Sequence, residues 1–253
     1  MSAPVQLTVD DGVARLTLDG PITQDWADAF AACATSLTGR EDVRVVVLGG
    51  TGRFFCPGGD LGSMDEDVES AVRHLAQTLH VGLLALRRLD APSVARVHAT
   101  AAGAGLSVVL ACDVAIAARS ASFTTAYSAV GLSPDGGATW LLPRRVGWPA
   151  ATELLMSSRR VGADEAAALG LVARAVDDGE LDAEVQALVA TLAAGPTRAY
   201  GEIRRLLDRS ATSSFADQLD AEATAIGRSA ASPTGQAGIG AFLEKRRPDF
   251  AGL

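Results

Sequence analysis

The sequence predicts an α/β protein, and three observations support this fold class. Alternating apolar and polar residues predict two strands near the start, Val5 to Val9 and Val13 to Leu18. Helical spacing then runs from Trp26 to Leu37, and a continuous apolar strand follows from Val43 to Leu48. The order strand, helix, strand recurs further along the chain, as expected for crossover units.

Turns and periodicity define the elements in the first third of the chain. The Asp-Asp-Gly segment at residues 10–12 predicts a tight turn, so the first two strands are expected to form a β-hairpin. An acidic, glycine-containing loop occupies residues 62–66. A long amphipathic helix follows, because apolar residues step by three and four from Val68 to Leu86.

A glycine-rich stretch in the middle of the chain indicates an anion-stabilising site. The strand Ser93 to Val97 leads into Gly103, Ala104 and Gly105, where a helix of about two turns is expected to begin. Free N–H groups at a helix start carry partial positive charge and suit an oxygen that becomes negative. The Gly-Gly turn at residues 58–59 has the same character. Two such turns can each donate one N–H to the same oxygen.

The pattern continues with a strand from Val114 to Ala117 and becomes helical from about Asp182. Helical stretches are expected over residues 198–207, with Thr197 as N-cap, and over residues 214–230 and 234–246.

Composition narrows the class of protein. The 253 residues are 48% hydrophobic and 21% charged, and the net charge of −8 argues against a nucleic-acid partner. Cys33, Cys56 and Cys112 are too widely separated for a zinc site, so we expect reduced thiols and no metal. The N-terminus resembles no signal peptide, and no apolar stretch is long enough to span a bilayer. We therefore expect a cytoplasmic protein without a membrane partner.

Four motifs stand in the order and at the spacings of one family. They are FCPGGDL at residues 55–61, AAGAGLSVVLACD at 101–113, GLSPDGGATWLLPRRVG at 131–147 and VGADEAAALGLV at 161–172. On these motifs the chain resembles the crotonase (enoyl-CoA hydratase/isomerase) superfamily over nearly its whole length. The resemblance implies a core over residues 1–190 with the crotonase fold, a spiral of repeated ββα units. It also implies a C-terminal helical region, residues 191–253, that packs into a homotrimer, often paired into a homohexamer.

The resemblance implies the substrate and its binding residues. Enzymes of this family bind an acyl-CoA thioester and stabilise its enolate with two backbone N–H groups, which fall here at Gly59 and Ala104. Coenzyme A is part of the substrate, so no separate cofactor is expected. Further substrate contacts are expected from Cys56, Gly58, Asp60, Leu61, Tyr127, Leu132, Trp140, Phe242 and Lys245. Phe242 and Lys245 match residues that often reach coenzyme A from a neighbouring subunit, and Asp60 can also fix its own turn.

The acid/base residues depart from the hydratase pattern. Hydratases of this family use two glutamates, and this chain has Ser107 and Tyr127 at those positions. Asp135, in the sequence SPDGG, resembles the aspartate of phenylacetate-pathway enoyl-CoA isomerases, which takes a proton from one carbon and returns it two carbons away. One carboxylate can serve as base and then as acid, whereas hydration requires a second group to hold the water. An isomerase shifting a Δ3 double bond to Δ2 is therefore the first hypothesis.

Other interpretations stay open at this stage. Asp135 can instead cap a helix beginning at Gly136. The enzyme can be a weak hydratase, or a hydrolase or dehalogenase that uses Asp135 as nucleophile with His80 or His98 near the water. The chain can also be an acyl-CoA-binding subunit without catalysis. A purely structural role, in place of a role in the site, also stays open for His98, Ser107 and Tyr127.

Overall fold

The computed structural model describes residues 3–60, 62, 67–250 and 252–253, so Leu61 and residues 63–66 of the acidic loop lie outside it. The strands are β1 (Val5–Asp10), β2 (Val13–Leu18), β3 (Val45–Gly50), β4 (Phe54–Cys56), β5 (Ser93–Val97), β6 (Thr100–Ala102), β7 (Val114–Ala118), β8 (Ser122–Thr124), β9 (Val161–Gly162) and β10 (Arg174–Val176). The predicted α/β class is confirmed.

The helices connect these strands and extend beyond them. They are α1 (Gln24–Ser36), α2 (Val68–Arg88), α3 (Ala104–Ala111), α4 (Ala138–Val146), α5 (Trp148–Ser157), α6 (Ala163–Ala168), α7 (Leu181–Ala193), α8 (Thr197–Ser210), α9 (Phe215–Ala231) and α10 (Pro233–Leu243). Within the part of the chain that the structure describes, no helix has the length and apolar character to cross a membrane.

The larger sheet has six strands in the order β1-β2-β3-β5-β7-β10. β1 and β2 form the predicted hairpin, with Val5 opposite Leu18. Asp11 and Gly12 close its turn with φ of 46° and 75°. The other neighbouring strands are parallel, and a parallel sheet requires cover on both faces.

Alternate residues of β3 show how both faces are covered. Val46 and Leu48 belong to the main core with α1 and α2, whereas Val45 and Val47 cluster with the buried side of α7. Because successive side chains of a strand point to opposite faces, the sheet is a middle layer between these helices. This explains why the strand is apolar along its length.

The smaller sheet has four strands in the order β4-β6-β8-β9. β4, β6 and β8 run parallel, so their carboxyl ends meet at one edge. The segments that follow them, starting at Pro57, Gly103 and Thr125, therefore lie side by side. Sequence patterns did not predict this sheet, because strands of two or three residues are too short for an alternation.

Two helix starts differ from the prediction. α4 begins at Ala138, because Gly136 and Gly137 have φ of 59° and 79°, outside the right-handed helical region. α8 has Pro196 at its N-cap and Thr197 as its first residue, without a side-chain cap. The expectation that Thr197 caps α8 is wrong, since a residue inside the first turn does not reach the cap position.

The expected boundary between residues 190 and 191 falls inside α7. Leu181, Val185 and Val189 of this helix are buried against the larger sheet, so the core continues to Ala193. The helices α8 to α10 follow, and an oligomerisation role for residues 191–253 stays a prediction.

A buried cation secures α8 to the core. Arg204 is 5% exposed and donates to the two carboxylate oxygens of Asp113 at 2.6 and 2.7 Å. It also donates to the carbonyl of Ala91 at 3.0 Å. Asp113 in turn accepts from the backbone N–H of Ser93 at 2.7 Å. The network therefore joins the C-terminal helices to the starts of β5 and β7.

We expect Arg204→Met to lower the free energy of unfolding by about 3–5 kcal/mol, because Asp113 would keep its position without its cation. Chemical denaturation followed by circular dichroism measures the change. Arg209→Met, at an exposed position of the same helix, is the matched control and should change stability by less than about 0.5 kcal/mol. Equal effects of the two variants would contradict this role of the ion pair.

Candidate active site

A cavity of about 320 Å³ lies where the carboxyl ends of β4, β6 and β8 face α2. Apolar side chains form most of its wall, and the glycine turns together with Tyr127, Ser133 and Asp135 form the rest. Its lining residues are Ile22, Pro57, Gly58, Gly59, Val72, Leu75, Ala76, Leu79, Gly103, Ala104, Ala126, Tyr127, Val130, Leu132, Ser133 and Asp135. Among the described residues in this list, Asp135 carries the one carboxylate.

Two backbone N–H groups reach this cavity from neighbouring turns. The bridge between Ile22 and Gly59 uses the carbonyl of Gly58 and the N–H of Asp60, so the Gly59 N–H takes no part in it. Ala104 is the first residue of α3, and helix geometry leaves its N–H without an acceptor inside the helix. No described residue accepts a hydrogen bond from either group.

The close packing of the two turns depends on glycine. A Cβ on Gly58, where φ is 93°, would lie 2.8 Å from the carbonyl oxygen of Ala102 and 3.6 Å from the nitrogen of Ala104. A Cβ on Gly105 would lie 2.3 Å from the carbonyl oxygen of Cys56. Larger residues would separate the turns, and the donors of Gly59 and Ala104 with them.

Cys56 contributes its backbone to this packing and does not line the cavity. Its side chain is 1% exposed, and burial raises the pKa of its thiol to about 11. The sulfur is therefore a protonated core group at neutral pH.

Two hydroxyl residues, Ser107 and Tyr127, hold Asp135 in place. The hydroxyl of Tyr127 donates to Oδ1 of Asp135 at 2.6 Å. The hydroxyl of Ser107 donates to the backbone carbonyl of Asp135 at 3.0 Å and lies 3.2 Å from the Tyr127 hydroxyl. Ser107 and Tyr127 therefore orient the carboxylate, and neither is only a packing residue.

The structure also decides between capping and a cavity position for Asp135. α4 has Gly137 at its N-cap and no side-chain cap, so the carboxylate of Asp135 does not cap this helix. Its side chain instead lines the cavity, bound to Tyr127.

Backbone strain and burial shape the environment of Tyr127. Ala126, which also lines the cavity, has a φ of 59°, a conformation that alanine rarely adopts. Burial, followed by the negative charge of Asp135, raises the pKa of Tyr127 far above its ordinary value. Its hydroxyl therefore stays protonated and remains a donor.

The other expected contact residues fall into three groups. Leu132 lines the cavity. Asp60 accepts from the N–H of Gly62 at 3.1 Å and thereby fixes its own turn. Trp140 lies outside the cavity, where the guanidinium of Arg144 stacks 3.8 Å from its ring centre.

Phe242 and Lys245 do not line the cavity of the single chain. Phe242 is 80% exposed, so their approach to coenzyme A from a neighbouring subunit stays a prediction. Leu61 lies outside the described residues.

Helix α2 provides one wall of the cavity. Val72, Leu75, Ala76 and Leu79 line the cavity, and the apolar stripe predicted on this helix contains three of them. That stripe identifies a buried face but does not distinguish a core contact from a cavity wall. His80, on the same helix, accepts a hydrogen bond from the N–H of Gly136 at 3.0 Å, a contact without any sequence signal.

The described residues contain no group of three or more His, Cys, Asp or Glu side chains arranged to hold a metal ion. From the described residues, the chemistry available in the cavity is thus a pair of backbone donors, one carboxylate and an apolar wall.

Comparisons with known proteins bear on the family and the fold of this chain. The family model described as enoyl-CoA hydratase/isomerase matches residues 8–252. A protein of Rhodobacter capsulatus described as a probable enoyl-CoA hydratase is 36% identical, with 98% of each chain covered. The 1,2-epoxyphenylacetyl-CoA isomerase of Escherichia coli is 34% identical over 96% of this chain and 97% of its own. The crystal structure of an enoyl-CoA hydratase from Mycobacterium smegmatis has a TM-score of 0.91 at 34% identity, covering 98% of this chain and 99% of that one.

The raised pKa of Tyr127 predicts a pH effect on stability. An unfolded tyrosine loses its proton near pH 10, whereas folded Tyr127 keeps it, so the folded state binds more protons above that pH. The free energy of unfolding should therefore fall above about pH 10, by up to about 1.4 kcal/mol per pH unit from this group. Denaturation between pH 8 and 11 should show a shallower fall for Tyr127→Phe, and parallel curves would contradict the prediction.

Proposed function

Because this chain belongs to the enoyl-CoA hydratase/isomerase family and has the crotonase fold, we propose that it is an acyl-CoA isomerase. The proposed reaction moves a double bond from Δ3 to Δ2 by a 1,3-proton transfer through an enolate. The observation that carries the proposal is the carboxylate of Asp135, the one carboxylate among the described lining residues, which shares the cavity with the N–H groups of Gly59 and Ala104.

The two backbone donors stabilise the charge that forms. In the proposed complex the thioester carbonyl accepts hydrogen bonds from Gly59 and Ala104. When a proton leaves C2, negative charge moves onto this oxygen, and donors already aimed at it lower the barrier. The position of Ala104 at the start of α3 adds the partial positive charge of a helix N-terminus.

Asp135 carries the proton between the two carbons. Tyr127 holds Oδ1, and no described residue donates to Oδ2, which is the proposed base. Oδ2 takes the proton from C2 of the 3-enoyl thioester, and the electron pair delocalises to a dienolate. The same group returns the proton to C4, which leaves the double bond between C2 and C3. No net proton or electron is gained or lost.

The contacts of Ser107 and Tyr127 favour isomerisation over hydration. A hydratase requires a second acid/base group to hold the attacking water. Here the two hydroxyls are engaged with each other and with Asp135. Hydration is therefore the second candidate activity, supported by the name of the Rhodobacter relative and disfavoured by this network.

The substrate and assembly are part of the proposal. The acyl group is aliphatic or a ring-type phenylacetyl derivative, the latter supported by the identity to the Escherichia coli isomerase. Coenzyme A belongs to the substrate, and no separate cofactor is proposed.

A homotrimer or homohexamer through residues 191–253 is supported by exposed apolar side chains on these helices, including Phe215, Ile226 and Phe242.

We expect Asp135→Asn to reduce turnover by about 10²- to 10⁴-fold, because the amide cannot accept the proton. Proton NMR in D2O, with a 3-enoyl-CoA as substrate, should detect the 2-enoyl product and incorporated deuterium with the wild type only. Binding of the thioester, measured by calorimetry, should be kept.

Asp25→Asn is the matched control, because Asp25 is exposed and outside the cavity, and its turnover should equal that of the wild type. Near-normal isomerisation by Asp135→Asn would overturn the role of this residue. Binding without any proton transfer by the wild type would instead favour a non-catalytic acyl-CoA-binding subunit.

A second variant tests the backbone donors. Gly58→Ala should lower kcat by about 10- to 100-fold, since its Cβ would meet the Ala102 carbonyl at 2.8 Å and displace the Gly59 N–H. Gly39→Ala is the control, because Gly39 has a similar φ of 76° with nothing within 4 Å of an added Cβ. Steady-state kinetics on variants with native circular dichroism gives the comparison, and equal kcat values would refute the donor geometry.

A further inference from the structure

The peptide bond between Asp135 and Gly136 is held at both ends by side chains from other elements. On its carbonyl side, Ser107 donates to the Asp135 oxygen at 3.0 Å. On its amide side, the N–H of Gly136 donates to Nε2 of His80 at 3.0 Å. Since a backbone N–H can only donate, Nε2 must accept, and the ring proton of His80 is on Nδ1.

This peptide requires such support because of the glycines that follow it. Gly136 and Gly137 both adopt positive φ, 59° and 79°, and glycine has the widest range of accessible backbone conformations. The N–H of Ala138, the first residue of α4, donates to the Asp135 carbonyl at 3.1 Å, so the carbonyl side also has a backbone contact. Among the described residues, His80 provides the acceptor for the amide side, and this contact therefore helps to set the direction in which Asp135 leaves the backbone.

His80 is well placed to provide a fixed contact point. It lies within the 21-residue helix α2, between Leu79 and Leu83, which are buried. α2 packs closely on α1, since a Cβ on Gly82 would lie 2.5 Å from the ring of Phe30. His80 therefore lies on the helix that also provides one wall of the cavity.

We infer that His80 is a positioning residue, which fixes the Asp135–Gly136 peptide through the Gly136 N–H and thereby aims the Asp135 carboxylate into the cavity. The inference rests on the proposed function for its effect on turnover. It assigns His80 no proton transfer with the substrate, since its Nε2 is already occupied by Gly136. Three side chains therefore restrict this turn. His80 binds the amide of Gly136, Ser107 binds the carbonyl of Asp135, and Tyr127 binds the Asp135 carboxylate.

The test compares His80→Leu with His80→Gln. Leucine removes the acceptor, whereas the amide oxygen of glutamine lies at about the reach of Nε2 and can accept the same N–H. We expect His80→Leu to lower kcat by about 10- to 100-fold with little change in KM, and His80→Gln to recover kcat to within about threefold of the wild type. His74→Leu, at an exposed position of the same helix, is the control and should leave kcat unchanged.

Hydrogen exchange at the Gly136 amide gives a readout independent of activity. Exchange should be faster in His80→Leu than in the wild type, and slow again in His80→Gln. Equal losses of kcat in both variants would overturn the inference, because they would assign His80 a chemical role that glutamine cannot fill. Unchanged kcat and exchange in His80→Leu would overturn it as well. If the wild type shifts no double bond, the proposed function fails, and the exchange data alone then decide whether His80 holds this peptide.

Discussion

The close contact between the turn after β4 and the first turn of α3 is the constraint on which the rest of the site depends. Gly58 and Gly105 allow it, because a Cβ on either would lie under 3 Å from a backbone carbonyl oxygen. The contact sets the Gly59 and Ala104 donors beside one another without any side chain. Oriented backbone dipoles can stabilise an anion even in a protein with a net charge of −8, because their action is local.

The carboxylate is built onto this frame by a second set of contacts. The small side chain of Ser107 lets the turn after Asp135 pack directly on α3, since a Cβ on Gly136 would lie 2.6 Å from the Cβ of Ser107. This packing therefore depends on the small side chain of Ser107 and on the absence of a side chain at Gly136. The strained backbone at Ala126 precedes Tyr127, whose hydroxyl binds Asp135. The hydroxyls of Ser107 and Tyr127 thus hold Asp135 in one orientation.

The cavity contains two kinds of group, the backbone donors and the proposed base, and they belong to different turns. The donors at Gly59 and Ala104 belong to turns fixed by the small sheet, and the proposed base belongs to a turn held by side chains of α2, α3 and the segment after β8. Both groups depend on α3, which carries Ala104 at its start and Ser107 one turn further along. The apolar side chains of α2 line the same cavity and would exclude water from charges that form during the proposed proton transfer.

The long periodic elements, the β-hairpin and the glycine turns could be predicted from the sequence, and Asp135 could be selected as the candidate base, a role that stays a prediction. Each of these is encoded locally: alternation in β1 and β2, helical spacing in α2, and glycines that permit a close approach. The Ser107 and Tyr127 substitutions were also visible, together with the chemistry that they disfavour. Only the tertiary structure decided that Trp140 lies outside the cavity and that Val72, Leu75 and Leu79 line it. It alone brought His80 to Gly136, because a hydrogen bond between residues 56 positions apart depends on the packing of whole helices and leaves no pattern in the local sequence.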